Sequence, residues 1–165
     1  MQLSKGARAM GRVGVFAASA SSMLVFAGPA SAAGETATAY EYGHEQFTVQ
    51  LTGDDVHGGG DREGEGVARL DLDPANERVC YVITWRGLDG DVTDFHIHSA
   101  PRHSDGPVVI NLFNDRHFDG EGNTVANCVH GDRSTIRDII DEPSDYYLML
   151  HTTEHHAGAI RGQLD

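Results

Sequence analysis

The chain has 165 residues, with 12 basic against 25 acidic side chains and a formal charge of −13. Its one Lys, Lys5, lies with Arg8 and Arg12 ahead of every acid, so from Ala33 onward nine Arg face 25 Asp and Glu, a charge of −16. Such a surface repels nucleic acid and anionic lipid and attracts cations, which removes nucleic acid from the expected partners.

Lys5, Arg8 and Arg12 precede an apolar run from Val13 to Ala27, then Gly28, Pro29 and Ala30-Ser31-Ala32. A basic start, a 15-residue apolar stretch and a small-x-small end predict a secretory signal peptide over 1–32, cleaved after Ala32. The run is shorter than the roughly 20 residues a membrane span needs. The expected product is a secreted protein without membrane insertion. Residues 33–45 are small and polar and read as a flexible leader to a single domain over 46–165.

Period-2 patterns follow. Phe47, Val49 and Leu51 alternate with polar residues, as do Ala68, Leu70 and Leu72. Between them, Gly53–Gly66 reads as a polar loop, and its carboxylates fit no calcium-loop register. Arg78–Trp85 is apolar on both faces and predicts a central strand. Asp94–His98, Pro107–Phe113, Tyr146–His151 and Ala159–Leu164 complete the strands, with Pro tolerated at a strand start. Ser134–Asp141 differs: Ile136, Ile139 and Ile140 recur at helical spacing, Ser134 is a candidate cap and Pro143 follows. Seven or eight short strands and one short helix near 134–141 predict an all-β fold, an antiparallel sandwich or barrel. Cys80 and Cys128, an even pair in an exported chain, read as one disulfide; two thiolate metal ligands would lack C-x-x-C spacing.

The ten His are the most informative residues. In Phe95-His96-Ile97-His98, strand alternation puts the apolar pair on one face and the imidazoles on the other. His151 ends the run Tyr147-Leu148-Met149-Leu150-His151. If the two strands are neighbours, three imidazoles meet, a donor set suited to copper or zinc. His155 is a candidate fourth ligand. The opposing reading is that these His only hydrogen-bond within the fold. Ser134 and Ser144 lack a Gly-x-Ser-x-Gly setting, and no glycine loop for phosphate precedes a helix.

The order of landmarks resembles the CHRD, or chordin-type, domain of exported bacterial proteins. The matching pieces are Phe47–Gly53, Gly64–Leu70, Val79-Cys80-Tyr81, His96-Ile97-His98, Gly106–Leu112, Pro143 with Tyr146-Tyr147, Leu150-His151-Thr152 and Gly158–Leu164. The resemblance covers nearly all of the exported part. It implies a compact all-β extracellular module with a binding or structural role, whose partner is an extracellular protein or matrix component. It supplies no catalytic residue set.

Phe95-His96-Ile97-His98 is also similar to the Phe-His-Val-His strand of copper/zinc superoxide dismutases, and Leu148–His151 to their Val-Val-His strand. That similarity implies a copper ion cycling between two oxidation states, with Arg161 attracting the anionic substrate; the bridging His has no counterpart in the matched strands, and His103 or His117 would have to serve. The acidic surface opposes such steering. The leading expectation is therefore a binding or structural module with a candidate metal site at His96, His98, His151 and His155. A copper-dependent redox enzyme and a metal-free interaction module are the alternatives.

Overall fold

The computed structural model describes residues 43–165. The expected signal peptide (1–32) and nearly all of the leader (33–45) lie outside the described residues. The leader's last residues are already structured: His44 hydrogen-bonds Asp71 at 3.0 Å and Glu45 opens the first strand.

Eight strands form one antiparallel sheet: β1 (Glu45–Thr52), β2 (Glu65–Asp73), β3 (Arg78–Arg86), β4 (Val92–Ser99), β5 (Val108–Phe113), β6 (Gly122–His130), β7 (Tyr146–Thr152) and β8 (Ile160–Gln163). Their spatial order is β5-β4-β7-β8-β1-β2-β3-β6, and the sheet curls into a nearly closed barrel. The inner face holds the core, with Leu51, Leu70, Ile83, Phe95, Ile97 and Leu148 at 0–2 % exposure. Burying an aliphatic or aromatic side chain of this size contributes about 1.5–3 kcal/mol, so the inward residues hold the register. Slipping any strand by one residue would turn its apolar set outward.

The barrel's seam lies between the edge strands β5 and β6. Side chains bridge it. Tyr81 of β3 donates its hydroxyl to the Leu112 carbonyl of β5 at 3.1 Å. The helix α1 (Arg133–Asp141) packs where Ile136, Val79 of β3 and Ile110 of β5 converge on Gly131. Ile136 and Ile139 are fully buried, as their helical spacing predicts. The helix starts one residue before Ser134, and Asp132 stands at its N-cap.

Two local expectations are corrected, and one strand carries no sequence signal. β6 shows no clear apolar alternation in sequence, because only Val125 and Val129 lean onto the core from this otherwise exposed edge strand. β3 is apolar on both sides, yet only one side is buried; Val82 on the other is 43 % exposed. The 53–66 loop is polar but not wholly solvated. Asp61 is 4 % exposed because its carboxylate accepts the backbone N–H groups of Glu63 and Asp89, tying two loops together.

The barrel also has a second, smaller apolar layer outside the sheet. Tyr147 and Met149 point outward from β7 and are buried with Val56 and Ala100. Loops after β1 and β4 thus cover one patch of the barrel's outer face.

Candidate metal centre

β4 and β7 are antiparallel neighbours, with His96 opposite Met149 and Asp94 opposite His151. Phe95 and Ile97 are fully buried in the barrel, so alternation turns His96 and His98 outward together. Leu148 and Leu150 do the same for Tyr147, Met149 and His151. His151 therefore lies diagonally from His96 on one shared face, within reach for long side chains. The ring centroids of His96 are 5.6 Å from His98 and 5.1 Å from His151, and His98 and His151 are 5.9 Å apart. One ring nitrogen from each lies within 4.8 Å of the other two.

Hydrogen bonding assigns those nitrogens. His98 Nδ1 lies 3.0 Å from the Gly106 carbonyl and His151 Nδ1 lies 3.1 Å from the His156 carbonyl. A carbonyl only accepts, so each Nδ1 carries the proton and each Nε2 keeps its lone pair. His96 is turned the other way: Nε2 donates to Asn114 Oδ1 at 2.5 Å. The remaining atoms, His96 Nδ1, His98 Nε2 and His151 Nε2, are buried and have no hydrogen-bond partner. Three free ring nitrogens within 4.8 Å of one another, each ring fixed from behind by a hydrogen bond, match the way metal-binding imidazoles are held. His96, His98 and His151 would be the residues to hold a metal ion, which would take the three ring nitrogens as donors.

Burial sets the protonation. It pushes His98 below the ordinary histidine range, against a smaller opposing effect of the Gly106 carbonyl. It takes His151 down to about 4, helped by the neighbouring His96 and His98 and opposed by the His156 carbonyl and Asp94. Both rings are neutral near pH 7, the form that ligates.

Glycine permits close approach at two places around the site. A Cβ on Gly106 would overlap the Ser99 carbonyl, so only glycine brings its own carbonyl to His98. Gly158 has φ +136° and faces the Met149 sulfur, where a side chain would collide.

The other expected residues are placed as follows. His155 does not join the triad. Thr152 Oγ1 accepts the N–H groups of Glu154 and His155 and turns the chain tightly. His156 then offers its carbonyl to His151, while His155 Nε2 faces Asp61 at 3.9 Å, in a separate group with Asp89. His103 and His117 are outside the triad as well, and His117 lies 3.5 Å from Asp91. Arg161 is 1 % exposed. Its guanidinium donates to the Ser104 and Pro101 carbonyls and to Gln163 Oε1, anchoring the loop after β4. Cys80 and Cys128 face each other across β3 and β6 and form the disulfide. Asn114, Gly106 and the His156 carbonyl carry no sequence signal of their own, since loop conformation alone brings them to the imidazoles.

Compared with known families, residues 47–164 match the CHRD domain. The chain belongs to the CHRD domain family. No curated protein and no solved structure matches it. In this CHRD domain the landmarks noted in sequence fall on the barrel's framework, and His96-Ile97-His98 and His151 fall on its two strands beneath the covering loops.

Proposed function

We propose that this chain is an exported CHRD module that holds one transition-metal ion, copper or zinc, between His96 Nδ1, His98 Nε2 and His151 Nε2. The observation that carries the reading is the set of three buried, unpartnered imidazole nitrogens whose opposite nitrogens are all engaged. A buried polar atom without a partner costs about 1–3 kcal/mol. Three within 4.8 Å of one another would be satisfied together by a shared ion. The metal serves a binding or structural role, and the acidic surface raises the local concentration of cations around it. The Cys80–Cys128 disulfide fits an oxidising compartment, and the physiological partner is an extracellular protein or matrix component.

The copper redox alternative has the same three donors in its favour. It has less support at the periphery, where Arg161 is buried and engaged with neutral oxygens. The test is the metal content, by elemental mass spectrometry, of untagged protein recovered from the medium or periplasm. Near one copper or zinc per chain, lost in folded His98→Ala, is the expected result. No metal in the wild type, and no uptake on adding either ion, would leave the imidazoles as structure and the chain as a metal-free interaction module. A superoxide assay on the copper-loaded form separates the redox alternative.

A further inference from the structure

The groups around the three imidazoles bear on the charge of the ion that the proposed site would take. The three donors are neutral, and among the described residues no carboxylate or thiolate joins their group. Zinc held by three His completes its shell with a water as fourth donor, and a divalent ion keeps its full charge among neutral donors. The walls beside the imidazoles are Tyr147 and Met149, at 1 % and 2 % exposure. Desolvation in such surroundings penalises a doubly charged ion far more than a singly charged one.

A buried cation stands behind the site. The Arg161 guanidinium lies 3.7 Å over the Tyr147 ring, and that ring stacks on His98 with centroids 4.8 Å apart and planes 10° from parallel. Its hydrogen-bond acceptors are all neutral oxygens. The anions that face the triad are Asp94, on the same face and opposite His151, and Asp105, which acts on His98. Asp94 is half-buried and accepts the Asp115 N–H, while Asp105 is exposed and paired with His57. Arg102, the next cation, is tied to Asp55 and Asp165. Water screens the two carboxylates more than it screens Arg161.

We propose that the pocket prefers a monovalent soft ion, Cu(I), over divalent ions, and that the Arg161–Tyr147 stack behind His98 sets this preference. The proposal rests on the metal reading above and adds the identity and charge of the ion. Cu(I) accepts three nitrogen donors without a fourth, and its single charge is the least opposed by the guanidinium.

The experiment is an anaerobic competition on untagged, disulfide-intact protein. Cu(I) is supplied under ascorbate against a chromogenic cuprous chelator, and Zn(II) against a fluorescent zinc indicator. One Cu(I) per chain, bound at least about 100-fold more tightly than Zn(II), is expected. Arg161→Gln narrows that ratio by about tenfold or more, whereas Tyr147→Phe, which keeps the ring in the stack, preserves it. Arg161→Met serves as the charge-free variant if Arg161→Gln does not fold. Zn(II) binding as tightly as Cu(I) would overturn the ion preference and leave the metal site standing. An unchanged ratio in a folded charge-free variant would overturn the role of Arg161. Failure of both ions to bind would overturn the metal reading itself.

Discussion

The outer face of this barrel has two regions that follow one alternation rule to opposite ends. On β2, β3 and β6 the outward residues meet solvent: Val67 and Val82 are 39 % and 43 % exposed, and Thr84 and Thr124 hydrogen-bond at 3.0 Å on the surface. On β4 and β7 the outward residues lie beneath loops, and Tyr147, Met149 and His98 are buried. Polar groups on the first face satisfy themselves with water. Those on the second cannot, so an unpartnered imidazole nitrogen there needs another partner. Strand alternation chooses which residues point outward, and the covering loops decide whether that outward face is a surface or a site.

That contrast can be broken from either side. The largest effect is expected on the open face, at the disulfide, which spans a sequence separation of 48 residues. Replacing Cys80 and Cys128 together by Ser should lower stability by up to about 4 kcal/mol in chemical unfolding, while the folded variant keeps its metal stoichiometry. A joint loss of metal would mean that the two faces are coupled.

On the covered face, Asn114→Ala removes the group that orients His96. Metal affinity should fall about 10–100-fold with little change in the unfolding midpoint of the metal-free protein. An unchanged affinity would show that His96 is not a ligand through Nδ1.

The metal-free protein should also respond to acid through this face. His151 titrates near 4 when folded, against an ordinary value of 6.5. Below about 6.5 the unfolded chain takes up a proton that the folded chain refuses, so stability is full above that pH and is lost as pH falls from 6.5 toward 4. Thermal unfolding of wild type and His151→Gln across this window measures the difference. The variant should show the shallower decline, and equal slopes would contradict the burial argument. The smallest effect belongs to the open face again: Val82→Thr should change stability by no more than about 0.5 kcal/mol.

The grouping of the three imidazoles is partly readable from residue order. His96 and His98 alternate with Phe95 and Ile97, and strand period alone places them together. His151 needed one further fact, the pairing of β4 with β7, which no local pattern contains. His155 lies in a separate group with Asp61 and Asp89 because the Thr152 hydroxyl turns the chain within three residues, a side-chain effect that spacing cannot carry. The groups behind the imidazoles, Gly106, Asn114 and the His156 carbonyl, come from loops and were not readable at all. In the fold, β6 was missed and the burial of β3 overread for one reason. Apolar alternation reports burial, and at the seam and on the open face, pairing and burial part company: β6 pairs along its whole length with β3 and remains exposed.

The most direct test of the central claim is X-ray absorption spectroscopy of the metal-loaded, disulfide-intact protein. The proposed site predicts a first shell of about three nitrogen scatterers near 2.0–2.1 Å, with the outer-shell pattern of imidazole, and loss of that pattern in His98→Ala. A first shell dominated by oxygen, or one unchanged in His98→Ala, would place the ion elsewhere and contradict the account.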